Sequence, residues 1–120
     1  MKLLLSFKYA IEGVIFAVEH NLNIRIHIYA AVLVIAASVF FDVTPFEMGI
    51  LGVMILLVIS TEMINTSLEE MTNLITKEHR KEAKIAKDVG AGMVLVTTLG
   101  SVIVGTLIFL PYIARYFKVH

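Results

Sequence analysis

Apolar residues recur at helical spacing through the first twenty positions, at Leu3, Leu4, Phe7, Ile11, Val14, Ile15 and Val18, while Lys2, Ser6, Lys8, Glu12 and Glu19 break up the other side. That period predicts an amphipathic helix over about residues 1–20, lying on a membrane surface. A secretory signal also opens with a cation and a leucine run, but Lys8 and Glu12 interrupt the apolar stretch it needs, so the segment is expected to stay uncleaved. From Ile28 to Phe41 no charge occurs. With Ile24 and Ile26 added, the stretch approaches the ~17–20 residues of a span, predicting a helix over about 24–41 whose Arg25 and His27 reach back to the interface. Thr44-Pro45-Phe46-Glu47 reads as the next helix start, with Thr44 as cap, Pro45 in the first position and Glu47 returning the capping bond. The second span, about 45–72, therefore follows a very short turn and runs antiparallel to the first. A charged connection comes next, and Val89 to Ala114 is again uncharged, giving a third span within about 82–115. Gly92, Gly100, Ser101 and Gly105 provide small positions on it where helices approach closely.

Composition agrees with a chain of spans. Of the 120 residues, 58% are hydrophobic, above the roughly 45–50% of soluble domains, and the mean hydropathy is +0.88. The expected fold is all-α: one integral-membrane domain over 1–120, a surface helix plus three transmembrane helices. Ten basic residues balance ten acidic ones, so no overall basic field points to nucleic acid. With no cysteine, thiolate metal sites and a cysteine nucleophile are excluded. His20, His27, His79 and His120 show no short metal-ligand spacing and read as interfacial or solvated. Lys77, Arg80, Lys81, Lys84 and Lys87 crowd the connection between the second and third spans, whereas the turn near Asp42 has no basic residue. The positive-inside rule then predicts a cytoplasmic N-terminus and charged connection, with residues 42–44 outside. Arg115 and Lys118 run against that assignment.

The candidate chemistry lies in Thr61-Glu62-Met63-Ile64-Asn65-Thr66-Ser67-Leu68-Glu69-Glu70. Before it, from Phe46 to Thr61, the sole charge is Glu47. Glu62, Asn65, Thr66 and Glu69 fall at i, i+3, i+4 and i+7, so they line one helix face over two turns. Glu62 lies about 21 Å along the axis from Met48 at roughly 1.5 Å per residue, in the last third of a ~30 Å core. An ionisable group there is costly and points to a function or partner, although the same residues could simply mark the water interface. The third span enters the membrane at that face through Lys87 and Asp88, which alone would read as interface anchors. Together, carboxylates, an amide and a cation form the kind of set phosphoryl transfer uses. Gly90 and Gly92 make no dinucleotide loop, having no strand before them and no third spaced glycine.

Glu62-x-x-Asn65-Thr66-x-x-Glu69, followed by Ala86-Lys87-Asp88-x-Gly90-Ala91-Gly92, resembles the signature of the small bacterial integral-membrane lipid kinases, the diacylglycerol kinase and undecaprenol kinase family. Ser6-Phe7-Lys8-Tyr9-Ala10-x-x-Gly13 and Asn23-x-Arg25-Ile26-His27 extend the resemblance over nearly the whole chain and lean to the undecaprenol-type branch. The resemblance implies a homotrimer in the bacterial inner membrane that uses ATP and Mg²⁺ to phosphorylate a lipid alcohol. It implies Glu62 as the catalytic base, Glu69 as a metal ligand, Asn65 as its polar neighbour, Lys87 as a phosphate contact and Asp88 as a nucleotide-side residue. Tyr9 and Arg25 match positions at the site periphery, Tyr9 on the nucleotide side. Two departures stand out. Asn21 replaces a metal-binding glutamate, so only its carbonyl oxygen could serve the metal; Glu19 faces a different side of the helix. Asn73 stands where relatives commonly have aspartate. A membrane carrier built on Glu62 is the rival function, but it expects an acid near midplane and often repeat symmetry. A catalytically weakened scaffold is the third reading.

Overall fold

A computed structural model describes residues 1–119 of the chain; His120 lies outside the described residues. Four helices follow one another: α1 (Lys2–His20), α2 (Leu22–Phe40), α3 (Pro45–Ile75) and α4 (Lys81–Val119). The last three are long and apolar enough to cross a membrane.

Each boundary has a local cause. A single extended residue, Asn21, separates α1 from α2, and its side-chain oxygen caps α2. That cap starts α2 at Leu22, two residues before the expected start of the span. At the other end of α2, the N–H of Val43 bonds the carbonyl of Ser38 at 3.1 Å and that of Asp42 bonds Val39 at 3.2 Å. Such paired bonds close a helix when the following residue is left-handed, and Asp42 takes that conformation at φ 52°. Asp tolerates it better than most residues do. α3 opens on the capping box expected from Thr44 and Glu47, with Pro45 in its first turn. It ends at Thr76, and α4 starts five residues later and extends past Ala114 to Val119.

α3 is the central element, packing against each of the other three helices. Val43, Leu51 and Ile108 form the apolar core beside the α2–α3 turn, joined by Val34, Met48 and Phe109 among others. Phe41 meets the rings of Phe109, Tyr112 and Tyr116 there, with centroids 6.2 to 6.3 Å apart. Much of the remaining apolar surface of α2, α3 and α4 faces outward, as expected of helices in lipid. Among the described residues, α1 packs on α2 and α3 only. The opposite end of α3, away from the apolar core, carries the polar residues.

Candidate active site

The buried polar side chains at that end are Thr61, Glu62 and Asn65, which are 7%, 1% and 6% exposed. Glu62 and Asn65 lie on the face of α3 predicted from the spacing, and Thr61 stands one turn before Asn65. A carboxylate this enclosed needs compensation, because burial penalises its charged form. Glu62 Oε1 accepts from Asn21 Nδ2 at 2.9 Å. The same amide donates to Thr66 Oγ1 at 2.7 Å, and Thr66 in turn donates to the Glu62 carbonyl at 3.0 Å. Glu62 is thus held where α1 joins α2 and both meet α3.

One turn along, Asn65 Nδ2 donates to Glu69 Oε1 at 3.4 Å, bringing amide and carboxylate together. Asn65 Oδ1 is buried with no partner. An unsatisfied buried acceptor is uncommon, and this one lies against Gly90 of α4. Mg²⁺ is bound by one or two carboxylates, with water and substrate phosphate completing its shell, so the exposed Glu69 suits it in chemistry, whereas Asn65 turns its NH₂ group to Glu69 and its oxygen to Gly90. No group of three His, Cys, Asp or Glu side chains able to hold a metal occurs among the described residues.

α4 closes the other side. A Cβ on Gly90 would collide with Asn65 Oδ1 and lie 3.4 Å from Leu68 Cδ1, so glycine leaves the Asn65 amide room for its present position. Thr61 and Thr97 share a hydrogen bond of 3.0 Å across the same interface. Lys87 Nζ donates to Asn73 Oδ1 at 2.8 Å, so the departure at Asn73 provides a neutral partner for the lysine. Asp88 pairs with Lys84 at 2.5 Å, both of them exposed. Tyr9 is 61% exposed on α1 and makes no hydrogen bond to the cluster. Glu19 is exposed as well. Arg25 Nε is buried without a partner.

The structure therefore brings Asn21 to Glu62 and Asn65 to Glu69, and sets Lys87 beside the end of α3. Residue spacing did not foretell the roles of Gly90 and Thr97, because both depend on how α4 meets α3. A groove of about 580 Å³ runs between α1 and α3, lined by Ala10, Gly13, Phe16, Ala17, Met63 and Thr66 among others. It reaches the cluster at Thr66 and also touches Ser67 and Glu70.

Comparison with known proteins gives the family. The family profile of prokaryotic diacylglycerol kinase matches residues 8–109, which include Glu62, Asn65, Glu69, Lys87 and Asp88. A diacylglycerol kinase of Synechocystis is 38% identical over 110 residues, 91% of this chain. The chain spans 63% of that relative's length. An undecaprenol kinase of Bacillus subtilis is 36% identical over 106 residues, covering 88% of this chain and 86% of the relative. With the family profile spanning both the α3 stripe and the start of α4, the chain belongs to the prokaryotic diacylglycerol kinase family.

Proposed function

We propose that this protein transfers the γ-phosphate of ATP to the hydroxyl of a membrane lipid alcohol, at the cytoplasmic face of the bacterial inner membrane. The observation that carries this reading is the enclosed Glu62 carboxylate, one turn from an amide with a free buried oxygen and two turns from Glu69. One carboxylate is sequestered as a base, while the other stands at the exposed side where a nucleotide enters.

In the proposed reaction the lipid lies in the groove between α1 and α3 with its hydroxyl at Glu62. Glu62 takes the hydroxyl proton as the lipid oxygen bonds to the γ-phosphorus. The bond from the γ-phosphorus to the bridging oxygen breaks, and ADP leaves with the electron pair. Lys87 exchanges its neutral partner Asn73 for a phosphate oxygen, and Asp88 lies on the nucleotide side. Glu69 would hold Mg²⁺, which supplies charge neutralisation on the phosphates when bound, with Asn65 as its polar neighbour. Tyr9 lies on α1 at the edge of the nucleotide side.

The family signature implies a homotrimer. The named relatives divide between diacylglycerol and undecaprenol, and the Arg25-Ile26-His27 run favours undecaprenol by resemblance. The decisive experiment offers both lipids separately to the purified protein in vesicles with radiolabelled ATP. Label in phosphorylated lipid is expected, with undecaprenol the better acceptor. Transfer to neither lipid, from protein that binds ATP, removes the reading. Cysteines at the exposed positions Asp42 and Glu78 should label from opposite sides of the membrane, and labelling from one side would contradict the orientation.

A further inference from the structure

Asn21 is the single residue between α1 and α2, and its side chain is used in two directions. Oδ1 accepts from the backbone N–H of Asn23 at 2.8 Å and of Ile24 at 3.4 Å. Nδ2 donates to Glu62 Oε1 at 2.9 Å and to Thr66 Oγ1 at 2.7 Å. Chemistry sets this orientation of the amide: only an acceptor can cap the N–H groups at a helix start, and only a donor suits a carboxylate. Turning the amide over would lose both. An amide binds a hard cation through its oxygen, and here both acceptor sites of that oxygen face N–H donors.

We propose that Asn21 is a positioning residue and not a metal ligand: it ties the orientation of the Glu62 carboxylate to the start of α2. The cap fixes Oδ1 against the first turn of α2, which aims the NH₂ group at α3. Thr66, one turn beyond Glu62, takes the second hydrogen and keeps the amide from swinging. The carboxylate is thereby held by a donor rooted in another helix, as a proton acceptor requires when its oxygen must meet a hydroxyl at hydrogen-bond range. The proposal rests on the lipid-kinase reading for its consequence, but the clamp itself can be observed without turnover.

Serine caps a helix about as well as asparagine and is too short to carry a donor to Glu62, so Asn21→Ser separates the two tasks. In vesicles, Asn21→Ser is expected to keep the KM for Mg-ATP while kcat falls about 10–100-fold, the range for losing a hydrogen bond to a charged group, and Tm falls because the buried carboxylate loses its donor. Asn21→Ala should lose the same kcat and lower Tm further, because it also removes the cap. Infrared spectra of the substrate-free protein, with the Glu62 carboxylate bands identified by difference from Glu62→Gln, should shift in Asn21→Ser. Unchanged bands, or parent kcat in Asn21→Ser, would overturn the clamp. So would a loss that excess Mg²⁺ restores, since that is the behaviour of a metal ligand. If the parent phosphorylates neither lipid while the bands still shift, the clamp stands and the kinase reading fails.

Discussion

At the Phe41 end of the bundle, α2, α3 and α4 meet through Val43, Leu51 and Ile108 and a cluster of rings. At the Glu62 end, the same three helices and α1 meet through Asn21, Thr61, Asn65, Thr66 and Thr97. The first end satisfies itself. Glu47 closes the capping box with Thr44 and accepts from the Tyr112 hydroxyl, so even its carboxylate is engaged within the fold. The second end leaves a buried oxygen of Asn65 without a partner and encloses a carboxylate. A protein that needed only to be stable would gain by filling that end with apolar side chains, because incompletely satisfied buried polar groups cost more than they contribute. The contrast divides α3 in two: one half fastens the helices through apolar side chains, and the other half holds the polar residues of the proposed site.

Three substitutions sharpen that division. The largest effect is expected from Gly90→Ala, whose methyl group displaces Asn65 Oδ1. The obstacle is the tip of a side chain, so stability should change little, whereas misplacing the polar neighbour of Glu69 should lower kcat/KM for Mg-ATP roughly 10–100-fold. A large fall in Tm with normal kinetics would show that Gly90 serves packing alone. Leu51→Ala at the other end should do the reverse. It empties a position only 4% exposed and is expected to cost about 2 kcal/mol, the low end for such changes, since lipid is as apolar as the protein interior. Thermal unfolding in detergent measures the loss, and the rate per folded molecule should match the parent. Tyr112→Phe should have the smallest effect. It removes the hydroxyl from Glu47 but leaves the ring on Phe41 and the capping box in place, so Tm should fall by less than in Leu51→Ala, with transfer unaffected.

The spans were legible because a charge-free run of sufficient length has few alternatives, and the start of α3 was legible because a capping box is a local pattern. The face shared by Glu62, Asn65 and Glu69 followed from helical period alone. Asn21 was harder. An Asn directly before an apolar run is a cap signal, but resemblance to a family with an acid at that position drew attention to metal binding. The bond from Asn21 to Glu62 spans 41 residues of sequence and depends on how α1 and α2 fold back on α3, which no local pattern encodes. The contact between Gly90 and Asn65 and the pairing of Lys87 with Asn73 are of the same kind. They follow from the register of α4 on α3.

Single-turnover phosphate transfer by Glu62→Gln tests the central assignment most directly. Gln keeps the shape of the side chain and can still meet the Asn21 amide through its oxygen, but it cannot take a proton from the lipid hydroxyl. With ATP binding intact and Tm near the parent value, the transfer rate is expected to fall about 10²–10⁴-fold, as for loss of a positioned general base. Transfer at the parent rate from a folded, ATP-binding Glu62→Gln protein would contradict it, and the polar end of α3 would then need another base.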